Sequence, residues 1–167
     1  MVLLYNNDVK DRSMKIGGIL ENSNLALYNI IAVSDVPGSA GSILKFFARR
    51  EINLEYITES FTIKGRAVIT FCIRNEFVEV VEKYIAEHDQ AIAGLDITHI
   101  DDVSTIGIYG PHFKEKHSIA ARFCGALGAA GINILGISSS ISSVCCVIKT
   151  EDIEKAKRAT LKRFELP

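Results

Sequence analysis

The sequence has no marked excess of either charge, no long apolar run and few cysteines, and each shortage removes a class of function. Lysine plus arginine number 19 and aspartate plus glutamate 20 in 167 residues, a net charge of −1. That balance leaves no electrostatic footprint for nucleic acid or for an anionic membrane surface. No apolar run approaches the ~20 residues of a membrane-spanning helix. The opening "MVLLYNNDVKDR" has a short apolar patch and no cleavage signature, so a cytoplasmic protein is expected. Cys72, Cys124, Cys145 and Cys146 show no CxxC spacing. They read as small hydrophobes in a reducing compartment rather than as a metal or redox site. His112 and His117 match no ligand spacing and read as loop residues. No Ser/His/Asp, Cys/His or metal constellation is readable, so neither an enzyme nor a cofactor is expected.

What the sequence does have is apolar material, 48% of it, arranged with clear periods. "MKIGGIL" (14–20) reads as a short strand, and "LALYNIIAV" (25–33) as a nearly continuous apolar strand suited to a central sheet position. "VPGSAGSILKFFARR" then turns at Pro37-Gly38 and enters a helix, with Ala40, Ile43, Leu44 and Phe47 on one face. Arg49 and Arg50 close it, where cations suit the helix dipole. "INLEYITESF" and "AVITFCIRN" flank a turn at Gly65 and read as a hairpin. Phe77, Val80, Val81, Tyr84 and Ile85 stripe a second helix over 76–87, and "LDITHIDD" reads as a short strand.

The order strand, helix, strand, strand, helix then recurs. "TIGIYG" is a strand, and Ile119, Phe123, Ala126, Leu127 and Ala130 stripe a helix ending at Gly131, a residue type suited to the cap. "INILGISSS" and "SSVCCVIKT" pair as a hairpin, and "EDIEKAKRATLKRF" is a last helix, acidic at its start and basic toward its end. A shift of 80 aligns Ala40 with Ala120, Ile52 with Ile132, Asn53 with Asn133, Ile57 with Ile137 and Ser60 with Ser140. A period of this kind implies two small α+β units. The second unit has no closing strand after Phe164, and the spare strand at 14–20 is the economical replacement. The first unit would then be inserted in the second: 25–100 for the first, 12–24 with 101–167 for the second.

With these residues in place the chain resembles the tandem ACT-domain regulatory region of aspartokinases. "DVPGSAGSIL…EINLEYITES" is similar to the first ACT motif. "STIGIYG…IAARFCGALGAAGINILGISSSISSVCCVIKTEDIEKAKRAT" is similar to the second. The resemblance covers about 14–164 and implies two ferredoxin-like βαββαβ units, with antiparallel sheets and helices on one face. It also implies a homodimer and the discontinuous arrangement just inferred. No kinase domain or lysine- and glycine-rich phosphate loop is readable. The second loop, "GPHFKEKHS", departs from the family pattern at His112, Phe113 and Ser118, and Glu59 stands where many aspartokinases carry glutamine.

The resemblance implies an amino-acid sensor. A free amino acid offers a carboxylate to the unpaired N–H groups and positive dipole end of a helix start. The implied ligand-binding set is Asp35, Gly38, Ser39, Ala40, Glu59, Asn133 and Ile134. Asp35 would receive the ammonium group, and Asn133 would close the pocket from the other unit. Glu59 would favour a cationic side chain, so lysine is the first candidate ligand and threonine the second. A metabolic enzyme or regulator would read the signal. The same residues have plainer readings. Pro37-Gly38 can be a turn with Ser39 or Asp35 as a helix cap, Asn133 can satisfy local backbone, and Glu59 can pair with Arg66. A ligand-free scaffold, or the regulatory subunit of an aspartokinase-like enzyme, is the alternative function.

Overall fold

The structure is a computed structural model that describes residues 14–31, 38–61, 66–87, 95–111, 113–115 and 117–167. In chain order it has β1 (Met14–Lys15), β2 (Gly18–Ile31), α1 (Ser39–Ala48), β3 (Tyr56–Phe61), β4 (Ala67–Arg74) and α2 (Val78–Glu87). There follow β5 (Asp96–Tyr109), α3 (Ile119–Ala129), β6 (Gly136–Ser139), β7 (Ser143–Lys149), α4 (Ile153–Leu161) and β8 (Phe164–Glu165). Six strands form one antiparallel sheet in the order β3-β4-β2-β5-β7-β6. The fold is α+β, and each half of the sheet with its two helices has the ferredoxin-like order.

Four strands expected to be separate are in fact two. β2 takes in 18–20 and 25–31, β5 joins "LDITHIDD" to "TIGIYG", and each is 14 residues long. They pair along their whole length, from Gly18 opposite Tyr109 to Ile31 opposite Asp96. The join is made by two compensating bulges. Between Asn22 and Leu25 the extra residue lies on β2, and between Leu25 and Leu27 it lies on β5. Asn24 (φ 64) and Asp102 (φ 54) take the left-handed conformation there. A one-residue bulge reverses the side-chain alternation. Ile19 therefore faces the second unit's helices, while Ala26, Tyr28 and Ile30 face the first unit's.

The end of the chain also differs from expectation. Phe164–Glu165 is a strand after all, pairing in parallel with Met14–Lys15. Phe164 is 1% exposed and fills the core beside Phe123, which fixes this short pair where its backbone bonds alone would not. The hairpins start later than read: residues 52–54 and 132–134 cross from helix to sheet, and pairing begins at Tyr56 and Gly136.

Helix faces follow the periodicity with two corrections. Leu44 and Val80 are partly exposed, and Phe46 and Val78 pack in their neighbourhood instead. Both expected residues fall on the flank of a stripe centred elsewhere. In the second unit Ile119, Phe123, Ala126 and Leu127 are buried as read.

A third core lies on the sheet face away from the helices: Leu25, Leu27, Tyr56, Cys72, Val103 and Val147. Its burial comes from curling of the sheet upon itself. Tyr56 of β3 and Gly136 of β6 belong to opposite edges, yet a Cβ placed on Gly136 would stand 2.8 Å from the Tyr56 hydroxyl. All four cysteines are free, and burial in this core pushes the Cys72 thiol up to about 12.

Candidate functional site

The repeat is visible in the backbone. Gly38 starts α1 with φ 97 and ψ −4, and Ser118 starts α3 with φ 71 and ψ 6. Both sit in the left-handed region, and neither helix start has a side-chain cap. The reading of Ser39 as a cap is therefore replaced: Gly38 holds that position and Ser39 is already helical. The Gly38 carbonyl accepts from the Ser42 amide at 3.0 Å, and the Ser118 carbonyl from Arg122 at 2.9 Å. The N–H groups of the first turn are thus open to a ligand or to solvent. At the other ends, Glu51 (φ 55) and Gly131 (φ 69) are again 80 apart and again left-handed.

Around the first loop, Gly38 is exposed and Ala40 packs partly against the core. Asp35 lies outside the described residues. Glu59 is exposed on β3 opposite Ile69, which is in turn level with Ile30 near the end of β2. That row lies at the end of the sheet where the chain leaves for α1. Glu59 shares its side of the edge strand with Ile57, which is 43% exposed.

Asn133 and Ile134 stand elsewhere. Asn133 is exposed on the crossing between α3 and β6, and Ile134 packs against the second unit's core. β6 begins at Gly136, level with Val147, Thr105 and Asn22. From Asn22 to Ile30 is eight residues of β2, roughly 26 Å at about 3.3 Å each. Within one chain Glu59 thus lies level with Ile30 near one end of β2, and Asn133 with Ile134 lies just before β6, which starts level with Asn22.

Two polar groupings were passed over in the sequence. Glu55 accepts from Asn22 Nδ2 at 2.7 Å and from Arg74 Nε at 3.3 Å, which ties the start of β3 to the bulge. The shift of 80 sets Glu55 against Leu135, and that mismatch was the available signal. The Tyr28 hydroxyl donates to Glu82 at 2.8 Å, and burial first and this bond second push its pKa upward. His99 stacks on Tyr28 and lies 3.5 Å from both Glu82 and Asp101, which links α2 to β5. Among the described residues no group of three or more His, Cys, Asp or Glu could hold a metal, and no helix is long and apolar enough to cross a membrane.

Comparison with known proteins agrees with this geometry. The ACT domain family matches residues 106–164. The aspartokinase of Mycolicibacterium smegmatis is 26% identical over 162 residues, 95% of this chain, and the chain spans 38% of that protein's length. The ligand-free regulatory subunit of aspartate kinase from Thermus thermophilus has the same fold, with a TM-score of 0.78 at 23% identity over 90% of this chain and 99% of its own. A solved structure of aspartokinase alpha and beta subunits gives 0.78 at 26% identity, covering 89% of this chain and 97% of the other. Residues 106–164 thus match the ACT domain family, and by fold the chain as a whole resembles the regulatory region of aspartokinases.

Proposed function

We propose that the chain senses a small amino acid at the start of α1 and passes the signal to a partner in the cytoplasm, without catalysing a reaction itself. The observation that carries this is the uncapped, left-handed start shared by α1 and α3. Such a start presents several N–H donors and a positive dipole end to one carboxylate. Gly38, Ser39 and Ala40 would hold the carboxylate and Asp35 the ammonium group. Glu59, exposed at the same end of the sheet, would select a cationic side chain, lysine before threonine. Asn133 and Ile134 would complete the site from the other unit of a second copy, since roughly 26 Å of strand separates the two groups within one chain. The assembly is then a homodimer. The units divide at the bulges, with 25–100 inserted between 12–24 and 101–167. The pairing of Gly18–Asn22 with Thr105–Tyr109 supports that division.

A thermal-shift screen against the twenty amino acids tests the reading. A ligand at 100 times its Kd adds about 2.7 kcal/mol to stability. Titration calorimetry with lysine and threonine on the wild type and on Glu59→Gln then assigns the selectivity. A flat screen refutes sensing, and unchanged lysine affinity in the variant removes Glu59 from the site. The second reading, a regulatory subunit or scaffold for an aspartokinase-like catalytic chain, is favoured by the likeness to a structure of separate alpha and beta subunits. Co-purification with such a catalytic chain, in the absence of any amino-acid effect, would select it.

A further inference from the structure

Between α1, α2 and the sheet of the first unit lies a cavity of about 190 Å³, about half open to solvent. Five rings wall it: Tyr28, Phe46, Phe47, Phe71 and Tyr84. Tyr28 stacks on Phe71 at 5.5 Å, Phe47 stands edge-on to Phe71 at 4.8 Å, and Phe46 leans on Tyr84 at 4.2 Å. Aliphatic side chains make up most of the remaining wall. Two of the hydroxyls at the wall are already engaged, Tyr28 with Glu82 and Ser42 with the Gly38 carbonyl. In the second unit the matching layer is filled by Phe113, Phe123 and Phe164, none more than 9% exposed.

Native interiors close their voids to about the size of a water molecule. An apolar cavity of about 150 Å³ stays dry and admits benzene, so this one has room for a somewhat larger guest. A zwitterion or a lysine ammonium group held against this lining would give up hydration for little in return. A planar ring instead meets ring faces and edges in their preferred offset and edge-to-face arrangements. We propose that this cavity is a binding site for a small uncharged aromatic molecule of one or two fused rings, separate from the amino-acid site at the start of α1. An occupant there would bridge both helices of the first unit to its sheet, and so would bias the packing of α1.

The test is a methyl-resolved NMR titration of the full chain with indole, repeated with benzene. Ile30, Ile43, Val81 and Ile85 should shift saturably, while Ile106, Ile119 and Ile148 in the second unit stay in place. Val81→Phe, which fills the cavity from α2, should weaken indole binding more than tenfold. Ile85→Phe serves if that variant does not fold. The proposal is overturned if indole leaves the first-unit methyls unmoved up to its solubility limit. Equal shifts in both units, or undiminished affinity in the filled variant, overturn it as well. Lysine is titrated separately on the same sample, so loss of one response with retention of the other tells the two sites apart.

Discussion

Gly136→Ala tests whether the two edges of the sheet truly meet. In an ordinary edge strand this change is mildly favourable, by about 0.5–1 kcal/mol, because glycine loses more backbone freedom on folding. Here the new Cβ would lie 2.8 Å from the Tyr56 hydroxyl, 3.2 Å from its Cζ and 3.4 Å from its Cε1. Tyr56 is 5% exposed in the third core, so its ring has little room to retreat. Overpacking of this kind costs about 1–3 kcal/mol, and after the glycine term the expected net loss is centred on about 1 kcal/mol. Removing the hydroxyl by Tyr56→Phe leaves Cζ as the nearest atom, at a distance a few tenths of an ångström of adjustment can absorb. Gly136→Ala should then be neutral or slightly stabilising in that background. A double-mutant cycle by urea denaturation should therefore give a coupling of about 1–2 kcal/mol, or roughly 0.5–1 M in midpoint at an m-value of about 2 kcal/mol/M. Additivity within about 0.5 kcal/mol would mean that β3 and β6 do not touch and that the sheet does not curl.

Three further outcomes follow from the backbone and the core. Glu51→Gly and Ser118→Gly should each stabilise the chain by about 0.5–1 kcal/mol, because both residues hold a left-handed conformation that glycine adopts freely; thermal melts would show it, and a loss at either site would contradict the assigned conformation. Stability should be level up to the ordinary thiol value of 9.0 and fall as pH rises from there toward about 12, because the buried Cys72 thiol keeps its proton through that window while the unfolded chain loses it; urea melts at pH 8 and 10.5 should show the loss, and Cys72→Ala should make it shallower. Gly18→Ala should displace the Tyr109 ring, whose Cε1 would lie 2.7 Å from the new Cβ, and an unchanged Tyr109 fluorescence and ring NMR signal would refute that contact.

The repeat made most of the architecture legible. Buried strands read as continuous apolar runs, helices as stripes, and the shift of 80 paired Ile52 with Ile132, which are 5% and 4% exposed. The bulges at Asn24 and Asp102 were not read, because one extra residue leaves only a change of parity between Ile19 and Ala26 in a run already rich in apolar side chains. The same blindness cost β8: two residues pair because Phe164 is anchored in a distant core, and local pattern carries no such information. At the site, the start of α1 was legible in Gly38, since backbone chemistry is local. The separation of Glu59 from Asn133 was not, because it depends on register across several strands.

The two long strands also have a mechanical consequence. β2 and β5 pass through both units as a stiff, hydrogen-bonded pair, pinned at mid-length by the bulges and by Asn22 on Glu55. A twist applied at the Ile31–Asp96 end cannot be absorbed by a flexible linker, because between Gly18 and Ile31 there is none. It is delivered to the Gly18–Tyr109 end as rotation. Under the proposed function, an event at the first unit would therefore reach the second as a change of angle along this pair, with no need for a side-chain relay between them.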